Sequence, residues 1–230
     1  MLVAETLHEL EALGSAGTEA IYRRHGVVGP CYGVLHGRID VLAKRLRKSA
    51  REAGTLPDAL ADSLWASGVY EARVLATLLS DPKRADAAHL DAWAAALDSY
   101  PLADAFAGWA AKAPDAEAVS ARWRASGDEW VVRAGWAVLA WWASKDPARE
   151  DAFFAPFVPQ IEAGIHAAPN RAREAMNAAL IAIGGRSDTL AGHVLAAAGR
   201  LGTVHVDHGA TACETPDAAA SVRAIRERAG

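Results

Sequence analysis

The sequence predicts an all-α fold: an α-α superhelix, a HEAT/ARM-like solenoid of about six helix pairs, as one domain over residues 1–230. Three observations lead there. Alanine and leucine are abundant, and β-branched alternation hardly extends beyond a few residues. Short apolar-periodic segments are divided by start and stop chemistry only a few residues long. Helices recur at two per ~40 residues, the period of HEAT- or armadillo-like units.

Taken in order, helices are expected near 2–13 and 17–25, a pair closed by Gly29-Pro30. The next fall near 35–52, 57–66 and 69–80. Asp81-Pro82 stops the last of these, because the residue before a proline is driven out of the α region. Helices near 86–97, 99–112, 115–125 and 129–144 follow, and Asp146-Pro147 ends that run for the same reason. The segment 150–166 meets 169–184 at His166-Ala-Ala-Pro-Asn170, a junction read as capping both helices. Gly184-Gly185 stops the second, and 187–201 comes next. Residues 202–215 read as an ordered loop. Thr215-Pro216-Asp217 then starts a helix over 216–228, with a hydroxyl cap, proline in the first position and an acid in the first turn.

The stretch Asp128–Ser144 is apolar on nearly every face and so belongs at the centre of the molecule. Five of the eight tryptophans lie between Trp123 and Trp142. The charge inside this run is Arg133. A guanidinium among aromatics on a central helix either pairs with a carboxylate or opens onto a surface that takes an anion.

The formal charge of −4 does not advertise a nucleic-acid binder, yet the basic residues are clustered. Lys44, Arg45, Arg47, Lys48 and Arg51 form one group and Arg23, Arg24 and His25 another. No apolar run is long enough to span a bilayer, so no membrane partner is expected. The start, MLVAETLHELEALGS, lacks a basic n-region, and Cys31 and Cys213 read as reduced, buried thiols in a cytoplasmic protein, expected as a monomer. His205, Asp207, His208 and Cys213 match no zinc spacing and read as a loop tied by side-chain hydrogen bonds. Glu71 and Arg73 read as a structural pair. No phosphate-binding glycine loop or dinucleotide fingerprint is present, so no cofactor or metal is expected.

Five stretches in order resemble the AlkD-type DNA alkylation repair family, the HEAT-like-repeat DNA glycosylases. They are Tyr22-Arg-Arg-His-Gly26 with Gly29–Val34 and Leu42-Ala-Lys-Arg45, Leu64-Trp-Ala-Ser67 with Glu71–Ala76, Ser99–Asp104, Trp130–Ala134, and Asn170–Asn177. Together they cover about Tyr22 to Leu201. The resemblance implies a basic concave surface that cradles duplex DNA bearing an alkylated purine. It also implies hydrolysis of the N-glycosidic bond of N3- or N7-alkylated purines without a base-binding pocket, unlike most enzymes that act on bases.

In that reading Asp104 is the catalytic carboxylate and Tyr100, one turn earlier, packs on the deoxyribose. Arg133 holds a phosphate, and Arg173, Asn177, Lys44 and Arg45 complete the DNA contacts. The plain alternative keeps Arg133 structural, paired with a carboxylate. The family's first groove tryptophan is here Tyr100. Its second tryptophan and the arginine three residues on are replaced by Ala178 and Ile181. Those losses suit a second reading, a HEAT-repeat protein that binds distorted or branched DNA without cutting it. A third is a protein-interaction solenoid.

Overall fold

The computed structural model describes residues 3–229. The described residues form two compact units, one of residues 3–114 with 209–211 and one of residues 115–208 with 212–229. Among them no strand is present.

The first unit holds α1 (Val3–Leu13), α2 (Ala16–Arg24), α3 (His36–Glu52), α4 (Asp58–Ala66), α5 (Tyr70–Leu79), α6 (Ala87–Ala94) and α7 (Tyr100–Ala110), with a 3-10 turn at Pro82–Arg84. Polar side chains at the helix starts satisfy backbone donors that a helix cannot. Ser15 Oγ accepts from Thr18 N at 3.3 Å, and Asp86 Oδ1 accepts from His89 N at 2.8 Å. Helix α5 is the hub, packed on α3, α4 and α7. Leu64, Leu75 and Phe106 are fully buried around it. Beside them Trp65 lies flat on Trp93 at 4.3 Å, and Trp93 stacks on Trp109 at 4.6 Å. The Trp109 indole N–H donates to Ser80 O at 3.2 Å, so this large ring is buried with its polar atom satisfied.

The second unit holds α8 (Ala116–Arg124), α9 (Glu129–Lys145), α10 (Asp151–Phe154), α11 (Phe157–Gly164), α12 (Asn170–Gly184), α13 (Asp188–Leu201) and α14 (Ala218–Ala229). Its centre is α9, as its all-round apolar sequence requires; it packs on α8 and most extensively on α12. Asp128 caps α9 by accepting from Trp130 N at 2.9 Å and Val131 N at 3.0 Å. Gly135 lets α8 approach α9: a Cβ there would stand 2.8 Å from Arg124 N and 3.0 Å from Ser120 O. Val138, Leu139, Trp142, Phe154, Ile161 and Ile165 fill the core.

Several expectations change. The helix expected over 150–166 is two, α10 and α11, because Pro156 has no N–H to continue the ladder. Helix α14 starts at Ala218 rather than 216. The cap is Asp217, which accepts from Ala220 N at 2.7 Å, and Thr215 Oγ1 instead meets His208 Nε2 at 3.0 Å. Glu71 and Arg73 do not pair, since residues two apart on a helix point away from each other. Arg73 binds Asp98 at 3.0 Å, and Glu71 turns to a loop described below. Cys31 is buried, whereas Cys213 is exposed.

Candidate functional site

Tyr100 opens α7, with Ser99 as its N-cap and Pro101 in the first turn, where a missing N–H costs nothing. Asp104 follows one turn later on the same face and is exposed, while Tyr100 is half-buried. Tyr100 is anchored from another helix: its hydroxyl is hydrogen-bonded to Nδ1 of His25, the C-cap of α2, with the rings edge-on at 5.9 Å.

A second group of phenols and imidazoles lies in the same unit. His36 Nε2 is 3.0 Å from the Tyr70 hydroxyl. Tyr22 packs edge-on against Tyr70 at 5.0 Å, lies 5.6 Å from the His36 ring, and donates to Val34 O at 2.7 Å. Burial, with the Glu71 charge adding to it, pushes the Tyr22 phenol up to about 12. Burial raises Tyr70 as well, and nearby Tyr22, Glu71, Cys31 and Tyr100 add to that. These hydroxyls therefore stay neutral.

Glu71 organises the loop behind them. Its fully buried carboxylate accepts from the backbone N–H of Tyr32 at 3.0 Å, Gly33 at 2.6 Å and Val34 at 3.1 Å, and from the Cys31 thiol at 3.2 Å. Gly33 is obligatory, with φ +74° and space for a Cβ only 2.2 Å from Ser15 O. Burial, then the Glu71 charge, pushes the Cys31 thiol up to about 12, so it is no nucleophile at neutral pH.

On α3, Lys44 and Arg45 are exposed, and Arg45 pairs with Glu9 of α1. Lys48 lies 3.8 Å from Glu52.

The other expected site residues belong to the second unit. Arg133 is only 5% exposed; its Nη1 donates to Glu174 Oε2 and to Arg171 O, both at 2.8 Å. Arg171 binds the same carboxylate oxygen at 3.1 Å, so Glu174 joins two guanidinium groups. Arg173 donates to the carbonyls of Ile165 at 3.2 Å, His205 at 2.8 Å, Ala168 at 2.9 Å and His166 at 3.3 Å. It ties the end of α11 to the loop after α13. Asn177 is buried and donates from Nδ2 to Pro216 O at 2.9 Å. Ala178 is exposed beside it.

The loop is held by side-chain bonds, as its composition suggested. Asn170 exchanges two hydrogen bonds with the Asp207 backbone, at 2.8 and 2.7 Å, rather than capping a helix.

The structure thus groups Tyr100 with Asp104 on α7, and Arg133 with Arg173 and Asn177 on the α9–α12 layer. Sequence reasoning missed the Tyr22–His36–Tyr70 group and the role of Glu71. A signal existed for Glu71: an acid in the mostly apolar segment Tyr70–Leu79, whose other charge is Arg73.

The comparisons bear on what this arrangement serves. The family described as "DNA alkylation repair enzyme" matches residues 6–219. The uncharacterised protein Lin0241 of Listeria innocua is 27% identical over 224 residues, covering 96% of this chain and 95% of its own. Lmo0209 of Listeria monocytogenes, also uncharacterised, is 28% identical with the same coverage. A solved structure from a new family of proteins related to the HEAT-like repeat DNA glycosylases, with affinity for branched DNA structures, superposes with a TM-score of 0.87. It is 28% identical and covers 100% of this chain and 95% of that one. The fold is therefore all-α and of the HEAT-like repeat class, and the chain belongs to the DNA alkylation repair enzyme family.

Proposed function

We propose that this protein binds duplex DNA and hydrolyses the N-glycosidic bond of N3- or N7-alkylated purines, with Asp104 as the catalytic carboxylate. The observation that carries the reading is an exposed carboxylate one turn from an anchored phenol, in a chain of the DNA alkylation repair family. An alkylated purine already bears positive charge and leaves without help from an acid. Its departure puts positive charge on the sugar, which a carboxylate stabilises while it orients a water molecule for attack. Tyr100, held by His25, packs on the deoxyribose. Lys44 and Arg45 contribute backbone contacts from α3. Arg133, engaged with Glu174, sets the position of α12 beside the phosphate it is proposed to hold; Arg173 and Asn177 support the same layer.

A second reading is favoured by specific observations. Ala178 and Ile181 stand where the resemblance expects a tryptophan and an arginine, and Arg173 and Asn177 are engaged by backbone carbonyls. A similar solved protein has affinity for branched DNA structures. In this reading the chain binds distorted or branched DNA without cutting it.

Base release from duplex DNA containing N7-methylguanine separates the two. A glycosylase releases base, and Asp104→Asn lowers the rate by about a hundredfold or more with duplex affinity retained. No release from the wild-type protein, together with tighter binding to a four-way junction than to the matched duplex, establishes the non-cutting reader.

A further inference from the structure

Among the described residues Arg73, Arg149, Arg186 and Arg124 lie against aromatic rings, and Arg124 differs from the other three. Arg73 stands 5.8 Å from the Trp65 ring and binds Asp98 at 3.0 Å. Arg149 stacks on Trp142 at 4.3 Å and Phe153 at 4.4 Å, and binds Glu117 at 2.8 Å and Asp146 at 3.3 Å. Arg186 lies 4.3 Å from Phe154 and binds Asp151 at 3.1 Å. Arg124 lies 4.9 Å from the Phe157 ring and 5.5 Å from the Trp136 ring, but among the described residues no carboxylate stands within ion-pair distance of it. Its hydrogen bond is a long one, from Nη1 to Ser120 Oγ at 3.3 Å. Glu117, whose charge acts on it, is bound by Arg149.

The surroundings of Arg124 form a cleft of about 620 Å³ within the second unit. Val132, Trp136, Phe157 and Met176 give it apolar walls, Ser126 and Gln160 are polar, and none of its lining residues is acidic. Burial lowers Arg124 to about 10, and the Glu117 charge offsets this only in part.

We infer that this cleft binds an organic carboxylate carrying an apolar body. Both rings lie within cation–π reach of the guanidinium, a group that takes a carboxylate through paired hydrogen bonds. The apolar walls take the rest of the molecule, and the volume suits a small organic acid. A phosphate suits it less: the cleft offers one cation and no further basic side chain. The same chemistry is presented by a free acid and by the last residue of a peptide chain.

Calorimetric titration of the intact protein with N-acetylphenylalanine, its neutral amide and inorganic phosphate tests the site. The acid is expected to bind saturably, and the amide and phosphate about tenfold more weakly or not at all, since each lacks one half of the match. Arg124→Gln is expected to abolish the preference for acid over amide, and Arg124→Lys to retain part of it. Equal binding of acid and amide to the wild-type protein overturns the inference, and so does phosphate binding as tight as the acid, or no saturable binding by the acid. Those three outcomes need no variant, so a poorly folded substitution leaves the test intact. A tripeptide ending in phenylalanine, compared with its C-terminal amide, separates the sources. Binding at least as tight as the free acid assigns the cleft to a chain terminus, and weaker binding assigns it to a small acid.

Discussion

Glu71 ties the Cys31–Val34 loop to α5 in the first unit. Three backbone N–H groups and a thiol converge on one buried carboxylate, and the loop they belong to carries the Tyr22 acceptor Val34. Removing the carboxylate leaves these largely buried donors without their acceptor. Glu71→Ala is therefore expected to destabilise the protein by about 3–5 kcal/mol, and Glu71→Gln by somewhat less, both read as a shift in the urea midpoint. A second expectation concerns alkaline pH. Cys31 rises from 9.0 to about 12 and Tyr22 from 10.0 to about 12 in the folded protein. Both are neutral when protonated, so the folded state holds their protons more tightly than the unfolded state. The stability this gives is complete below pH 9.0 and is lost as pH rises toward about 12. The urea midpoint should fall between about pH 8 and pH 10.5, and fall less in Cys31→Ala. In the same range iodoacetamide should label exposed Cys213 long before Cys31.

At the scale of the element, the two ends of the α8–α9 pair invite contrasting substitutions. Asp128 caps α9 with two hydrogen bonds in solvent, so Asp128→Ala should cost about 1 kcal/mol. Gly135 faces the α8 backbone at 2.8 Å, and Gly135→Ala should cost about 1–3 kcal/mol despite alanine's higher helix propensity, because the contact is with main chain that cannot rotate away. Thermal unfolding of the two variants side by side checks the order. The same contrast explains what the sequence made legible. Helix spans rest on local chemistry, and Ser15, Asp86, Asp128 and Ser187 all cap within three residues of their own position. The split at Pro156 and the shift of the cap from Thr215 to Asp217 are errors of local weighting. The partners of a buried side chain are a different matter. Arg133 meets Glu174 across 41 residues and Glu71 meets Gly33 across 38, and no spacing rule reaches that far. Asp104 and Tyr100 were legible because they lie one turn apart on one helix. Their anchor His25, 75 residues away, was visible only as part of a basic cluster.

For the whole molecule, the proposed function requires a chain of net charge −4 to attract a polyanion. Global charge opposes the encounter, so attraction has to come from local clusters, and the densest is on α3. Lys44, Arg47 and Lys48 are exposed there, and among the described residues Lys48 stands 3.8 Å from Glu52 while neither Lys44 nor Arg47 is in an ion pair. Each phosphate contact releases condensed counterions, so the logarithm of the affinity should fall linearly with the logarithm of salt concentration, by about 0.9 per contact on duplex DNA. If α3 faces the backbone, Lys44→Ala with Arg47→Ala should weaken binding to every sequence alike and reduce that slope by about 2. Asp104→Asn should leave the slope unchanged, because it removes no phosphate contact. Fluorescence anisotropy of a labelled duplex and a labelled four-way junction, titrated at several salt concentrations, measures both quantities. An unaltered slope in the double variant removes α3 from the interface. A salt-insensitive wild-type protein removes DNA altogether, since no protein holds phosphates without displacing their counterions.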